Sequence, residues 1–434
     1  MTKETKGILA LYGGEKIVTI NDPHFNWPII GQDETEAVLK QLKKAEVSYY
    51  RCSGIIEQFE NEFAEFHNTK YAISTSSGSS ALHAAFFSLG LPIGSEVIAP
   101  AYTHLGTVFP MLHVGLVPIL CDIEEQTGNI DTEKIKFKIS ENTRAIVVTH
   151  QYGHICNMQQ INKIAEKYNL FVIEDCSHAH GSRLNNQLAG TFGDIACFSL
   201  QSHKVVVAGE GGILITGNKK LADRASLFGH FRQEREYTSE ENKMFVESGY
   251  GLKNRLHPLA ATLAQVQFKK LDETIKGRKE NYNYFINELK NVRGLKPLLT
   301  HSEADRGGFF RFVFRYIASE LERLPIEKYI EALKAEGVST VSPGSLAKPI
   351  HYFNFFQNFD NGFYPIFFEP ITGQDKAKLI YKMGDFPKAE EFSANTLQFP
   401  AFTLPSFEII DQYILAMQKV QSNLSELQHT QKSI

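Results

Sequence analysis

Between Tyr71 and Thr216 the chain alternates short apolar runs with amphipathic stretches, a rhythm that few architectures accept. Tyr71–Ser74, Glu96–Ala99, Val117–Asp122, Arg144–Val148 and Leu170–Ile173 read as strands. Ala81–Leu89 and Asn157–Tyr168 read as helices, and Asp131–Ser140 as a helix-like stretch between two strands. Strands that take turns with helices form a mainly parallel sheet with helices on its faces, so an α/β fold is expected. A length of 434 residues with 43% hydrophobic side chains is ample for one large domain and a smaller one. Residues 1–30 read as an irregular arm containing Trp27-Pro28, residues 31–284 as the large domain, and 285–434 as the small one. Asp33–Lys44, Gly54–Phe66 and Lys219–Phe228 have helical spacing, and Pro258 opens a long helix to about Tyr284. Phe309–Ile317 alternates like a half-buried strand and Pro325–Gly337 reads as a helix. Residues 340–385 are aromatic-rich and aperiodic, and read as an insertion.

Asp194–Leu200 and Gly212–Thr216 are strand-like runs flanking a loop that holds Lys204 and then Gly209-Glu210-Gly211-Gly212. A lone lysine is ordinarily a solvated charge. Here Val205-Val206-Val207 follows it between apolar strands, so its backbone is expected to be buried and its amine aimed into a site. A desolvated lysine has a lowered pKa and can form a Schiff base with a carbonyl. The glycines let the chain turn sharply and approach a bound group closely. About thirty residues upstream, Leu170–Ile173 ends in Glu174-Asp175-Cys176-Ser177-His178-Ala179-His180-Gly181. Carboxylates at the carboxyl end of a buried strand stand where α/β sheets bind ligands. An aspartate that keeps a pyridine nitrogen protonated is what a pyridoxal cofactor requires. Asp175 and Lys204 therefore read as pyridinium partner and Schiff-base lysine.

The order Glu174-Asp175-x-x-His178-x-His180-Gly181, then Phe198-Ser199-x(4)-Lys204, then Gly209-Glu210-Gly211-Gly212, resembles the DegT-type sugar aminotransferases, and the resemblance runs from about Trp27 to Leu404. It implies pyridoxal 5′-phosphate as cofactor and the type I fold. That fold is an aspartate aminotransferase-like large α/β domain with a mainly parallel mixed sheet, plus a smaller α+β C-terminal domain. Thr75–Ser80 opens a helix, and a hydroxyl-rich turn there is either a simple cap or an anion site. The resemblance puts Ser79 and Ser80 at phosphate-contacting positions, and Ser199 at another. His104 stands where the family usually has an aromatic stacked on the cofactor ring, and His178 where a residue touches the phenolic oxygen; His180 reads as structural. Lys253 replaces an asparagine that reaches the phosphate from the neighbouring subunit, a role it would fill as a point charge. This implies a homodimer with shared active sites. Tyr50 and Arg51, in the loop Ser48–Gly54, border the family's substrate pocket or are part of a solvated connector. His351, in Lys348-Pro349-Ile350-His351, matches a loop near the substrate. Some members carry histidine in place of the lysine and are dehydratases, so the adjacent His203-Lys204 needs its register checked. Lys204 lies five residues before Gly209, as the family's lysine does before its first glycine, which assigns it.

The resemblance further implies L-glutamate as amino donor, a keto or aldehyde sugar as acceptor, and two half-reactions that use one site in turn. The whole chain is similar to the branch that aminates 8-oxo-Kdo to 8-amino-Kdo (8-amino-3,8-dideoxy-manno-octulosonate) for lipopolysaccharide. A nucleotide-linked keto sugar is the alternative acceptor. Arg51, Arg311 or Lys348 could meet a sugar acid's carboxylate; Tyr49, Tyr50 and Phe355 could stack on a base. A sugar dehydratase and a non-catalytic sensor of the same fold are further alternatives.

A net charge of −4 offers no basic footprint for nucleic acid or anionic membrane. Five cysteines (52, 121, 156, 176 and 197) lack CxxC spacing, which argues against a metal site or a disulfide framework. Cys121, Cys176 and Cys197 read as buried structural thiols. No apolar run reaches the roughly 18 residues of a membrane span, and MTKETKG lacks a signal peptide's apolar core. A soluble, cytoplasmic protein is expected.

Overall fold

The computed structural model describes residues 7–20, 25–49, 51–344, 348–357 and 379–429. Seven strands form the main sheet: β1 (Tyr71–Thr75), β2 (Glu96–Pro100), β3 (Val117–Cys121), β4 (Thr143–Thr149), β5 (Phe171–Asp175), β6 (Ile195–Ser199) and β7 (Gly212–Thr216). Their order across the sheet is β1-β7-β6-β5-β4-β2-β3. The pairs β2–β3, β2–β4, β4–β5 and β5–β6 are parallel, whereas β7 runs antiparallel to both β1 and β6. This is the mainly parallel mixed sheet expected. One antiparallel strand has a positional consequence. The carboxyl ends of β1, β4, β5 and β6 share an edge with the amino end of β7, so the loop from β6 to β7 closes over the edge where Asp175 ends β5.

Helices cover both faces. Gly78–Leu89 and Leu105–His113 enclose one apolar cluster, with Ala81, Phe86, Val108 and Met111 buried. Gly54–Phe66, Met158–Tyr168 and Pro258–Lys269 enclose the other, around Phe59, Phe63, Met158, Ile161 and Phe268. Burial on both faces explains why β6 and β7 are apolar without alternation.

The smaller part is a four-stranded antiparallel sheet of β8 (Leu295–Pro297), β9 (Phe312–Tyr316), β10 (Ser342–Pro343) and β11 (Thr396–Phe399), in the order β8-β9-β11-β10. Leu271–Glu288, Ile326–Ala335 and Phe407–Ser422 pack beside it around Phe285, Phe314, Tyr329 and Tyr413. Leu9 and Val18 of the amino-terminal arm are buried in the same core. The Val18 N–H donates to the Glu336 carbonyl at 2.9 Å, and Lys419 Nζ reaches the Glu336 carboxylate at 2.9 Å and the Glu15 carbonyl at 2.7 Å.

Three expected elements differ. Asp131–Ser140 contains a single helical turn, Thr132–Ile135, after which Phe137 and Lys138 bond three residues back. Phe137 is 78% exposed, so no packing rewards a longer helix there. The long helix after Pro258 is two helices, Pro258–Lys269 and Leu271–Glu288; Lys270 breaks them at φ −97°, ψ 6° while its amine pairs with Asp33 and Glu34. The strand expected over Phe309–Ile317 is only Phe312–Tyr316, because Gly308 and Phe309 adopt φ values of 66° and 40°, which a pleated strand cannot contain. Within 340–385, residues 345–347 and 358–378 lie outside the described residues; the rest contains the short turns Ile350–Tyr352 and Asn354–Gln357. Cys121, Cys156, Cys176 and Cys197 are buried free thiols and Cys52 is half-buried. No helix of the described residues is long and apolar enough to cross a membrane.

Candidate active site

The shared sheet edge opens into a cavity of about 450 Å³, with Lys204, Asp175, His178 and Ser199 in its wall. The loop that delivers Lys204 is tied at both ends. Leu200 N–H donates to Gly211 and Ala208 N–H to Leu200, while Lys204 N–H donates to the Gln201 carbonyl at 2.8 Å. Gly209 has φ 86°, a conformation that side chains disfavour. From outside, Trp27 Nε1 donates to the Lys204 carbonyl at 3.1 Å. Inside, Lys204 Nζ lies 3.9 Å from the centroid of the Phe310 ring. Burial lowers its pKa to about 8; the Arg311 charge adds to the effect and Asp175 opposes it. His203 also lines the cavity but is mostly exposed.

Asp175 is buried at the end of β5. Its Oδ1 accepts the Ser177 N–H at 3.1 Å and its Oδ2 the Thr107 hydroxyl at 2.7 Å. Thr107 in turn contacts Thr103 at 2.9 Å, and Thr103 contacts Thr149 at 2.8 Å. The neighbouring Glu174 points the other way. It accepts the N–H groups of Gly190, Phe192 and Gly193 and bonds His150 Nε2 at 2.9 Å. Although His150, Glu174 and Cys176 lie close enough together to suggest a metal, those bonds already occupy the carboxylate, and His150 Nδ1 accepts the Cys156 N–H.

Opposite stands the amino end of the helix Gly78–Leu89. Ser77 caps it, its Oγ accepting the Ser80 N–H at 3.0 Å. Ser77, Gly78, Ser79 and Ser199 line the cavity, and a Cβ on Gly78 would lie 2.8 Å from Ser199 Cβ. The glycine thus lets backbone and serine close into a small cup, with first-turn N–H groups facing outward. Ser79 is in the wall. Ser80 is not: its hydroxyl bonds Ser76 and Ser77 at 3.0 Å, within the capping network.

His104 caps the helix Leu105–His113, its Nδ1 accepting the Gly106 N–H at 3.0 Å. That bond and burial both favour the neutral ring, and its pKa is lowered. His178 is stacked between Phe310 (4.1 Å, 6° between planes) and Tyr152 (5.7 Å, 16°), and burial drives its pKa well down. Two neutral imidazoles and Phe310 therefore supply flat faces around the lysine.

Other expected residues lie elsewhere. Lys253 lines a separate surface hollow with Tyr49 and Arg255. Arg51 is exposed and outside the cavity wall. His351 is fully buried, its Nε2 bonded to Glu390 at 2.8 Å, although the next residue back, Ile350, is tied to the Ala101 carbonyl beside the site. Tyr50 lies outside the described residues. Conversely, Thr107, Tyr152, Gln151 and Phe310 belong to the site without having been expected. The i, i+4 spacing of Thr103 and Thr107 was the only local hint of the hydroxyl line.

These features fit a pyridoxal phosphate: a cavity holding a half-buried lysine, a buried carboxylate and a helix-terminus cup for an anion. Comparison with known proteins agrees. Residues 28–362 match the model of the DegT/DnrJ/EryC1/StrS aminotransferase family. The chain is similar to GDP-perosamine synthase of Escherichia coli O157:H7, 36% identical over 55% of this chain and 64% of that protein. It is also 30% identical to a putative L-glutamine:3-amino-2,3-dideoxy-scyllo-inosose aminotransferase of Micromonospora echinospora, over 76% of this chain and 78% of the relative. Among solved structures, the aminotransferase from Psychrobacter cryohalolentis superimposes with a TM-score of 0.78 over 93% of this chain and 100% of its own, at 24% identity. That likeness is one of fold: the two-part α/β architecture of the type I aminotransferases.

Proposed function

This chain belongs to the DegT/DnrJ/EryC1/StrS aminotransferase family, and on that footing we propose that it moves an amino group from L-glutamate to a keto or aldehyde sugar in the cavity around Lys204. It is a sugar aminotransferase with pyridoxal 5′-phosphate as cofactor. The observation that carries the site assignment is the meeting of Lys204 and Asp175 in one cavity, on the same sheet edge as the serine cup. When bound, the cofactor supplies an electron sink for the charge left as a Cα–H bond breaks.

The chain's own residues do the rest. Lys204 would hold the cofactor's carbonyl carbon and, once free, would move a proton at Nζ; a pKa of about 8 suits an amine that must both take and return it. Asp175 would accept a hydrogen bond from the protonated ring nitrogen and so keep it protonated. Ser79 and Ser199, with the helix terminus behind Ser77, would hold the phosphate. His104 would stack on the ring and His178 would meet its phenolic oxygen; both line the cavity. Lys253 lines a separate hollow and is absent from the wall of its own subunit's cavity, which supports a homodimer in which each subunit lends it to the other. Exposed Met244, Phe245 and Tyr250 on the same segment are suited to burial in that interface.

For the acceptor, our reading is 8-oxo-Kdo, aminated to 8-amino-Kdo in the cytoplasm for lipopolysaccharide. It rests on the resemblance to that branch read from the sequence. A nucleotide-linked keto sugar is the second reading, and the likeness to GDP-perosamine synthase favours it. The test is absorbance of the cofactor-loaded protein. L-glutamate should convert the visible band to the shorter-wavelength amine form, and 8-oxo-Kdo should restore it. Restoration by a nucleotide-linked keto sugar alone would move the second reading ahead. No response to glutamate would overturn the donor.

A further inference from the structure

Arg311 is the one guanidinium in the wall of the Lys204 cavity among the described residues, and no carboxylate there answers it. Its Nε is buried without a hydrogen-bond partner. Its guanidinium carbon lies 5.5 Å from the centroid of the Phe310 ring. Phe310 is also the ring beneath Lys204 Nζ. A half-buried cation that lacks both counter-ion and full hydrogen bonding is costly to maintain.

The backbone that presents Arg311 is nevertheless held firmly. Arg278 Nη1 donates to the Gly308 carbonyl at 2.9 Å and to the Phe309 carbonyl at 3.3 Å. Arg306 Nε donates to the Tyr152 carbonyl at 2.9 Å, and its Nη2 to the carbonyl of Arg311 itself at 2.8 Å. These bonds hold Phe309 at φ 40°, which is strained for a bulky side chain. Two buried arginines thus act on main-chain carbonyls to fix the loop, while the third keeps its donors facing the cavity.

We propose that Arg311 is the carboxylate-binding residue of this cavity, taking the carboxylate of the amino donor in one half-reaction and that of a sugar acid in the other. The inference rests on the aminotransferase reading, because only substrates that occupy one site in turn ask one cation to serve both. A planar guanidinium matches a carboxylate with two parallel N–H···O bonds, which a lysine cannot reproduce. Arg311 then selects acceptors that carry an acid group as well as the reactive carbonyl.

Gluconate and sorbitol, two polyols that differ by one carboxylate, provide the probes. Calorimetry on the cofactor-loaded protein should show gluconate binding and no sorbitol binding. Gluconate should also compete with L-glutamate in the absorbance half-reaction. In Arg311→Gln, both gluconate affinity and the glutamate specificity constant should fall by at least about 30-fold, with Arg311→Lys restoring part of each. Unchanged gluconate binding and glutamate KM in Arg311→Gln overturn the proposal and leave the aminotransferase reading intact. So does wild-type protein that turns over glutamate but ignores gluconate. Arg311-dependent gluconate binding in a protein that never responds to glutamate sustains the carboxylate site and overturns the donor instead.

Discussion

The Thr107 hydroxyl donates to Asp175 Oδ2 at 2.7 Å, and this bond fixes the direction of a line of three hydroxyls. Because Thr107 has one proton and commits it to the carboxylate, Thr103 must donate to Thr107, and Thr149 to Thr103. Asp175 is thereby oriented from behind by β4 and by the helix that His104 caps, leaving its cavity side for a ring nitrogen.

Thr107→Val keeps the volume and removes the donor. A hydrogen bond to a charged group is worth about 1.5–3 kcal/mol, so kcat should fall by about 10- to 100-fold. Asp175→Asn should cost more, because it removes the charge that keeps the ring nitrogen protonated. Both are read from the glutamate half-reaction by absorbance. A Thr107→Val protein with wild-type kcat would make the hydroxyl line mere scaffolding.

With an amine pKa of about 8, Lys204 is mostly protonated at pH 7 and mostly neutral at pH 9. Only the neutral form attacks an aldehyde. Loading of pyridoxal phosphate onto cofactor-free protein should therefore speed up by about tenfold per pH unit below 8 and level off above it. Arg311→Gln removes a positive neighbour, so the protonated lysine becomes easier to keep and the plateau should move to higher pH. Stopped-flow absorbance across pH 6–10 decides. A plateau that stays put would show that the guanidinium does not reach the amine.

His67 is buried among Phe63, Phe66 and Phe198, its Nδ1 at 2.8 Å from the Phe63 carbonyl and its Nε2 without a partner. Burial lowers its pKa to about 4. The unfolded chain takes up a proton here below pH 6.5, whereas the folded chain refuses it until about pH 4. Stability is thus complete above 6.5 and declines as pH falls towards 4, by up to about 3 kcal/mol from this residue. Comparing Tm at pH 7 and pH 4.5, His67→Leu should lose less on acidification than wild type. Equal losses would mean that His67 is not refusing a proton.

If Lys253 is lent across a dimer interface, Lys204→Ala and Lys253→Ala should complement one another. Each should be nearly inactive alone. Unfolded together and refolded, half of the dimers are mixed and each mixed dimer has one intact site, giving about a quarter of wild-type activity. Recovery of nothing would place Lys253 in its own subunit's business or in none.

Lys204 and Asp175 were legible in the sequence because each sits at the end of an apolar run whose burial is nearly forced. The edge of the sheet collects such ends, so two motifs thirty residues apart meet. Thr107, Thr103 and Thr149 come from two elements and meet only through packing, which no local pattern encodes. The Phe309–Ile317 reading failed for a related reason: the alternation is real, but bonds from Arg278 turn Gly308 and Phe309 into left-handed conformations that only the tertiary structure imposes. Asp131–Ser140 shows the converse error, in which Phe137 falls at helical spacing but finds nothing to pack against. His351 was placed near the substrate from its loop; the structure instead buries its ring against Glu390, outside the cavity wall.

The arm that carries Leu9, Glu15 and Val18 has its partners at Glu336 and Lys419, the latter 404 residues further along the chain than Glu15. During synthesis, then, the arm emerges long before the surfaces that bury it, and the small sheet cannot close its core until the segment around Lys419 has been made. The large sheet faces no such wait, since its seven strands lie between Tyr71 and Thr216. Assembly should run from the middle of the chain outward, with contacts between its distant segments locking last. Trp27 connects that final event to catalysis, because the same arm reaches the carbonyl of Lys204: the lysine loop gains its outer brace only when the rest of the polypeptide is in place.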